Sequence, residues 1–360
     1  MRYFIVPALI LLFASSAIKA AVPNGNAAYL FDFQYDAKGD KKGHQPGLFA
    51  AKINEYNRTA DNPHHITQLF SYAGDMEMFC RGSANTRKSK ACKPDDLMVF
   101  YGNGARSAQA YSETMDETDE SIKIVPVVDG HLDSINLRGF NNMTEAEAVT
   151  YADKIAATFC RDTHVNGVQF DLEPFDLKQP GQLFFYKQIA KDFSNGNCVD
   201  EYHPKGRYFS VFTNSSHIDA DVGKVLNQYH NGYVVDALYD LGPRPKGVAT
   251  SPEEYKRLVH REIVNMNTKA SQYHVKFLLA VPVAATGHEF ESRSGKETGY
   301  QQMEYVKAAF AEINGEKIRD NANFMGVALW AFTDRMLLGS HEYLPAKPDK
   351  ETENYLMKNL

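Results

Sequence analysis

The chain has 360 residues, of which 43% are hydrophobic and 23% charged, and its formal net charge at pH 7 is −6. This composition is that of a globular protein able to bury a large core, and the negative charge gives no reason to expect a nucleic-acid partner. The basic stretch from Arg81 to Lys93 lies among Gly, Ser and Asn residues, so we interpret it as a solvated loop.

The first twenty residues have the pattern of a secretory signal peptide. A positive charge at Arg2 precedes an almost unbroken apolar run, Phe4–Phe13, and small residues follow up to Ala20. The run is shorter than the roughly 20 apolar residues that cross a bilayer. We therefore expect residues 1–20 to be removed and residues 21–360 to be secreted or periplasmic, with no membrane attachment after cleavage. An uncleaved anchor is the alternative.

Eight short runs rich in Val, Ile, Phe, Leu and Tyr predict β-strands. They mostly lack the strict alternation of a half-exposed sheet, which is typical of strands covered on both faces. In chain order the predicted strands are Ala28–Phe33, Ile66–Tyr72, Ile122–Val128, Gly167–Leu172, Tyr208–Thr213, Val234–Leu238, Val275–Val281 and Gly326–Phe332.

Helical patterns separate these strands and are clearest at Thr144–Phe159, Gly181–Phe193, Pro252–Ala270 and Tyr300–Ile313. The first has a capping-box signal, Thr144 followed three residues later by Glu147. This alternation predicts an α/β fold, a (β/α)8 TIM barrel in a single domain with loop excursions, and we interpret the long loop at residues 74–95 as an excursion over the barrel mouth. A doubly wound open sheet is the alternative, but its Gly-x-Gly-x-x-Gly turn is absent after the first strand.

Four cysteines in an exported chain predict two disulfides, and three pairings are possible. Cys80 with Cys92 would staple the basic loop, and Cys160 with Cys198 would bracket the central segment described next. Neither a Cys-x-x-Cys nor a His-Glu-x-x-His spacing occurs. We therefore expect no metal site and no cofactor.

The most informative segment is residues 166–174, Asn-Gly-Val-Gln-Phe-Asp-Leu-Glu-Pro. Because alternate side chains of a strand lie on opposite faces, Gln169, Asp171 and Glu173 share one face and apolar residues share the other. In a parallel barrel the polar set would line the interior and rise toward the C-terminal end, where barrel enzymes have their active sites. Buried carboxylates are costly unless they are paired or used, so we favour a catalytic role over a satisfied polar ladder.

This segment resembles the Asp-x-x-Asp-x-Asp-x-Glu motif on the fourth strand of glycoside hydrolase family 18, the chitinases and endo-β-N-acetylglucosaminidases. Asp171 and Glu173 match the last two acidic positions, whereas the amides Asn166 and Gln169 replace the first two. Two further segments resemble the family. Residues 234–240 are similar to its sixth strand, which ends in Tyr followed by Asp or Asn. Residues 326–332 are similar to its eighth strand, with the tryptophan that floors the sugar site.

The resemblance implies substrate-assisted retaining hydrolysis, in which the 2-acetamido oxygen of the sugar attacks the anomeric carbon. Glu173 would protonate the leaving glycosidic oxygen and then act as base toward water. Asp171 would raise the pKa of this acid, hold the acetamido N–H and stabilise the oxazolinium charge. Tyr239 would hydrogen-bond the acetamido carbonyl. Trp330, the single tryptophan, would give the apolar face of the sugar a flat surface.

Gln169 departs from the family pattern and is expected in the substrate site. It can donate a hydrogen bond to Asp171 but cannot carry charge, so we expect reduced or pH-shifted activity rather than none. Further candidates for contact with sugar hydroxyls lie near predicted strand ends, each with a loop or capping role as the alternative. They are Asp32, Tyr72, Asp129, His131, Asn214, Asp240 and Glu289.

The expected substrate is an oligosaccharide or glycan containing N-acetylglucosamine, and we expect the chain to act on it as a monomer. Chitooligosaccharides and the GlcNAc–GlcNAc core of N-glycans both fit, and the altered upstream motif slightly favours the second. One alternative is an inactive, sugar-binding member of the fold family, although the presence of Glu173 favours an enzyme. Another is a barrel hydrolase that uses two enzyme carboxylates and ignores the acetamido group.

Overall fold

A computed structural model describes residues 22–30, 46–80, 97–100, 121–133, 137, 139–242, 249, 251–284, 299–332, 335–337, 343–345 and 348–360. The predicted signal peptide, residues 1–20, lies outside these ranges. No helix within them combines the length and the hydropathy that crossing a bilayer requires.

Twelve strands occur in the described ranges. In chain order they are β1 (Asn26–Leu30), β2 (Ile66–Asp75), β3 (Glu77–Cys80), β4 (Leu97–Phe100), β5 (Lys123–His131), β6 (Gly167–Glu173), β7 (Tyr208–Thr213), β8 (Gly232–Ala237), β9 (Phe277–Pro282), β10 (Phe324–Trp330), β11 (Arg335–Leu337) and β12 (Tyr343–Pro345).

Eight of these strands form a closed barrel in the order β1, β2, β5, β6, β7, β8, β9, β10, with β10 paired to β1. Every pair in the barrel is parallel. These are the eight predicted strands, so the (β/α)8 prediction is confirmed. Two antiparallel hairpins, β3–β4 and β11–β12, lie outside the barrel. The first begins within the predicted loop excursion, most of which lies outside the described residues.

Seven α-helices accompany the strands in the described ranges. They are α1 (Pro46–Thr59), α2 (Glu145–Phe159), α3 (Pro180–Phe193), α4 (Ala220–Asn227), α5 (Pro252–Tyr273), α6 (Gln302–Gly315) and α7 (Lys350–Asn359). The four predicted helices correspond to α2, α3, α5 and α6. The capping box at α2 is confirmed, since Thr144 N donates to Glu147 Oε2 (2.9 Å) and Glu147 N donates to Thr144 Oγ1 (3.4 Å).

The barrel has one core outside the sheet and another inside it. On β6, Val168, Phe170 and Leu172 are fully buried in the outer core, where the sheet packs against the helices. Gln169 is fully buried on the other face. The predicted division of this strand into an apolar helix-facing side and a polar interior side is therefore confirmed. This alternation carries the polar side chains up the barrel axis toward the C-terminal end of the strands.

A disulfide joins Cys160, directly after α2, to Cys198, in the turn that follows α3. The fully buried Arg207 donates to the carbonyls of Val165 (2.9 Å) and Cys198 (2.6 Å) beside this bond. One of the two proposed pairs is therefore present. Cys92 lies outside the described residues, and so does the side chain of Cys80.

Candidate active site

The C-terminal end of β6 carries two of the three predicted catalytic residues, Asp171 and Glu173. The neighbouring strand β5 lies in register with them, so Asp129 is opposite Asp171 and His131 is opposite Glu173. Leu132 N donates to the carbonyl of Glu173 (2.7 Å), which fixes the backbone where β6 ends. Parallel pairing therefore gathers three carboxyl groups and an imidazole at one place on the barrel rim.

The segment that follows Glu173 is fixed by a side chain that the sequence interpretation did not identify. Gln182, fully buried in the first turn of α3, donates to the carbonyl of Pro174 (3.0 Å) and to Asn141 Oδ1 (2.9 Å). Its Oε1 accepts from Asp176 N (2.9 Å). Nothing distinguishes this glutamine in the sequence, because its partners come from two different loops.

Asp171 is partly buried, and no described group hydrogen-bonds its Oδ1. Burial raises the pKa of Asp171 well above its usual range, and the charges of Asp129 and Glu173 raise it further. The repulsion between Asp171 and Glu173 was expected to raise the pKa of Glu173. The structure shows its effect on Asp171, which therefore keeps its proton to a higher pH than an exposed aspartate.

Gln169 bonds a different partner from the expected one. Its Nε2 donates to the hydroxyl of Tyr29 on β1 rather than to Asp171, and no described group pairs with its Oε1. The Tyr29 ring lies edge-on to Trp330, with 5.0 Å between centroids. Tyr29 therefore links the substituted motif position to the tryptophan across the barrel, a connection that only strand closure creates.

Tyr239 and Trp330, from the two other segments that resemble the family, stack with centroids 6.2 Å apart and planes inclined by 27°. Burial raises the pKa of the Tyr239 hydroxyl well above its usual range, and the hydroxyl of Tyr29 and the charge of Asp171 raise it further. The Tyr239 hydroxyl therefore remains protonated at neutral pH and can donate a hydrogen bond. The fold brings all three sequence segments together at the barrel mouth.

A cavity of about 780 Å³ opens over the ends of β5 to β8. Its lining includes the predicted residues Glu173, Tyr239 and Asp240 and the weaker candidates His131 and Asn214. The remaining lining residues are Asp133, Pro174, Phe175, Phe212, Thr213, His217, Ala237, Leu241 and Gly242. Thr213 and His217 escaped the sequence interpretation although they lie at a strand end, which is the signal that identified Asn214. Gln169, Asp171 and Trp330 do not line this cavity.

Tyr72 and Asn166 lie elsewhere in the barrel and do not line the cavity. Tyr72 is buried in the inner core of the barrel rather than in the cavity. Asp32 and Glu289 lie outside the described residues. Asn166, at the first motif position, lies at the start of β6, where its Oδ1 accepts from Ile124 N (2.9 Å) and its Nδ2 contacts His203 Nε2 (3.0 Å). These contacts hold Asn166 to β5 and to His203, so we assign it a structural role.

One cluster among the described residues could hold a metal ion, and it lies outside the cavity. His260, Glu312 and Glu316 have ligand atoms within 4.8 Å of one another. His260 Nδ1 lies 2.8 Å from Glu312 Oε2, and Lys256 Nζ lies 3.4 Å from Glu312 Oε1. A carboxylate that already pairs with an ammonium group has less charge to offer a cation, so we interpret the cluster as an ion-pair network between α5 and α6.

No protein-family model matches the chain, and no curated protein sequence matches it. Solved structures do resemble it. A glycoside hydrolase family 5 mannosidase from Rhizomucor miehei is 12% identical with a TM-score of 0.54, covering 94% of this chain and 92% of its own. An endo-β-N-acetylglucosaminidase from Cordyceps militaris is 14% identical with a TM-score of 0.48, covering 94% and 90%. A family 18 chitinase from Pseudoalteromonas aurantia is 12% identical with a TM-score of 0.46, covering 85% and 93%. The first likeness shows the barrel fold alone, and the other two are too weak to support an assignment.

Proposed function

We propose that this chain is a secreted glycosidase that hydrolyses β-1,4 bonds next to N-acetylglucosamine, with Glu173 as its general acid. The observation that carries the proposal is the convergence of Glu173, Asp171, Tyr239 and Trp330 at the C-terminal end of the barrel. These residues come from β6, from β10 and from the segment directly after β8. Barrel enzymes assemble their chemistry at this end of the strands.

The proposed mechanism assigns each group one role. The Glu173 side chain is exposed to the cavity and protonates the glycosidic oxygen, then removes a proton from the attacking water. The Tyr239 hydroxyl donates to the acetamido carbonyl, whose oxygen attacks the anomeric carbon. Asp171 accepts from the acetamido N–H and, once it has lost its proton, stabilises the positive charge that develops on the acetamido group. Trp330 packs on the apolar face of the sugar.

Two other functions predict different outcomes for the same substrates. A sugar-binding protein would bind oligosaccharide and release no product. A hydrolase with an enzyme nucleophile would use a second carboxylate, and Asp133 and Asp240 also line the cavity. Such an enzyme would cleave sugars without an acetamido group and would resist a thiazoline mimic of the oxazolinium intermediate.

The test compares the chain with a Glu173→Gln variant on chitooligosaccharides and on a high-mannose N-glycopeptide, with products read by mass spectrometry. Glu201→Gln is the matched control, because Glu201 is exposed and lies outside the cavity lining. We expect the wild type and Glu201→Gln to cleave, with inhibition by the thiazoline. The activity of Glu173→Gln should be lower by about 10²–10⁴-fold. Binding without cleavage by wild type would favour the sugar-binding protein. Cleavage that the thiazoline does not inhibit would favour the enzyme nucleophile.

A further inference from the structure

The described part of the cavity contains Tyr239, which belongs to an aromatic cluster with Tyr29 and Trp330. Its lining comes from the ends of β5, β6, β7 and β8, whereas Trp330 is on β10 and Tyr29 is on β1. Tyr239 lines the cavity and stacks on Trp330, and Glu173 lines the cavity as well. In the proposed reaction, Glu173 protonates the oxygen that joins the sugar under attack to the leaving group. Because Glu173 lines the cavity, a leaving group that it protonates can be held there.

Asn214 presents a defined donor to this cavity. Its Oδ1 accepts from Ser216 N (3.1 Å) and also from the Ser216 hydroxyl, which orients the amide. The oxygen is thereby occupied within the turn. Among the described residues, none accepts from Asn214 Nδ2, and Asn214 lines the cavity. The free side of this amide is thus an N–H₂ group that suits an acceptor on a ligand, such as a hydroxyl or an acetamido carbonyl.

His217 is oriented in a similar way. Its Nδ1 lies 3.0 Å from Thr213 Oγ1, so Nε2 is the ring nitrogen that remains for a ligand. When the Thr213 hydroxyl donates to Nδ1, Nε2 carries the proton and is a donor. In the other tautomer, Nε2 is an acceptor, and either role suits a sugar hydroxyl.

Helix α5 holds the turn that carries these side chains. Glu262 Oε1 accepts from Ser215 N (2.5 Å), and Lys269 Nζ donates to the carbonyl of Ser215 (2.8 Å). Both backbone groups of Ser215 are therefore fixed by charged side chains, one of which, Glu262, is buried. A recognition turn held in this way binds a ligand without first having to be ordered.

The rest of the lining suits a pyranose ring. Phe175, Phe212 and Ala237 are buried apolar residues of the cavity, and the Phe212 ring lies 5.9 Å from that of Tyr239. Asp133 and Asp240 add carboxylate acceptors. A sugar ring has an apolar face and a rim of hydroxyls, which matches an apolar surface bordered by donors and acceptors. The two carboxylates disfavour a sugar that itself carries a negative charge.

We infer that the turn at residues 213–217 is the binding site for the leaving group, and that it selects a neutral pyranose through Asn214 Nδ2 and His217 Nε2. This inference rests on the proposed function, because it needs Glu173 to cleave a glycosidic bond. The role of Glu173 as the acid does not by itself restrict the leaving group, whereas this inference does. The group released must itself be a sugar for full activity.

The test compares two substrates that share the sugar under attack and differ in the group released. Tetra-N-acetylchitotetraose releases a sugar, whereas 4-methylumbelliferyl diacetylchitobioside releases an aryl alcohol that lacks the hydroxyls of a sugar ring. The variants are Asn214→Ala, Asn214→Asp and His217→Ala. Asn214→Asp keeps the acceptor for Ser216 N and replaces the donor with a carboxylate oxygen, so it guards against a disrupted turn. Lys224→Ala, on the exposed surface of α4, is the control.

We expect kcat/KM on tetra-N-acetylchitotetraose to fall about tenfold in each Asn214 and His217 variant, which is the effect of one hydrogen bond. The fall in kcat/KM on the aryl substrate should be at least five times smaller. The control should keep the wild-type ratio. Equal losses on both substrates, or no loss on either, would overturn the inference while leaving the proposed function intact. A wild-type chain that cleaves neither compound would reject the proposed cleavage of chitooligosaccharides and this inference together.

Discussion

The side-chain amide of Gln182 donates a 3.0 Å hydrogen bond to the carbonyl of Pro174, the residue directly after Glu173. The same side chain bonds Asn141 Oδ1 and Asp176 N, so one buried glutamine joins three segments around the proposed acid. The helix can supply this contact because it approaches closely. A Cβ atom at Gly181 would lie only 1.8 Å from the carbonyl oxygen of Phe140.

Replacing Gln182 with Leu should lower kcat by about tenfold and change KM much less. The reason is that the backbone beside Glu173 loses its anchor, while the groups that contact substrate remain. Three polar partners would lose their bonds, and each buried group left unsatisfied should cost about 1–3 kcal/mol of unfolding free energy. Steady-state kinetics and chemical denaturation measure the two effects separately.

The matched control is Gln188→Leu on the same helix, since Gln188 bonds Asp153 and Asp192 away from the cavity. It should lose stability but keep kcat. Equal kcat in the Gln182 and Gln188 variants would show that Gln182 has no positioning role.

Tyr239→Phe should reduce kcat/KM on an acetamido substrate by about tenfold or more, because the hydroxyl that orients the acetamido carbonyl is lost. The stacking with Trp330 should survive, since the ring is unchanged. The variant should also bind a thiazoline inhibitor more weakly, which isothermal titration calorimetry can measure. Tyr208→Phe is the control, because no described group hydrogen-bonds the buried hydroxyl of Tyr208. Full inhibitor affinity in Tyr239→Phe would exclude the proposed role.

Gln169→Asp should move the alkaline limb of the kcat/KM profile to higher pH. A second buried carboxylate near Asp171 would raise the pKa of the coupled carboxyl groups, so the acid would stay protonated further into the alkaline range. Gln169→Asn keeps a neutral amide and should leave that limb in place. An unchanged profile in Gln169→Asp would mean that charge at this position does not tune catalysis.

Because of the titration of Asp192, the free energy of unfolding should fall as the pH rises from about 4 to about 7. Burial, and then the neighbouring carboxyl of Asp153, raise the pKa of Asp192 to about 7. Unfolded aspartate titrates near pH 3.9. Between these values the folded chain holds a proton that the unfolded chain has released, so its free energy of unfolding falls with rising pH, and the loss is complete above pH 7.

Asp192→Asn mimics the protonated acid, because its amide can accept from Gln188 and donate to Asp153. We expect this variant to match wild type near pH 5 and to exceed its unfolding free energy at pH 8. Urea denaturation at both values tests this, with the exposed Asp221→Asn as control. A stability difference between variant and wild type that is the same at pH 5 and pH 8 would rule out the titration of Asp192 as its cause.

Much of the fold was predictable because strand burial leaves a local mark. All eight barrel strands were located from apolar runs, and the two faces of β6 followed from alternation alone. The capping box at Thr144 was equally local, since both of its partners lie within four residues. One of the proposed disulfide pairs, Cys160 with Cys198, is also present. Sequence could not select it among three pairings, because the choice depends on where α2 and α3 end in space.

The candidate site, like the fold, has some features that the sequence predicts and others that only the structure shows. The sequence by itself determined which strand end carries Asp171 and Glu173, because a period of two and a position at a strand terminus are properties of neighbouring residues. Only the tertiary structure decided that Gln169 bonds Tyr29, that Gln182 holds Pro174 and that Thr213 and His217 line the cavity. Gln169 and Tyr29 are 140 residues apart, and Gln182 also bonds Asn141, 41 residues away, so these hydrogen bonds need the closure of the barrel and the docking of α3.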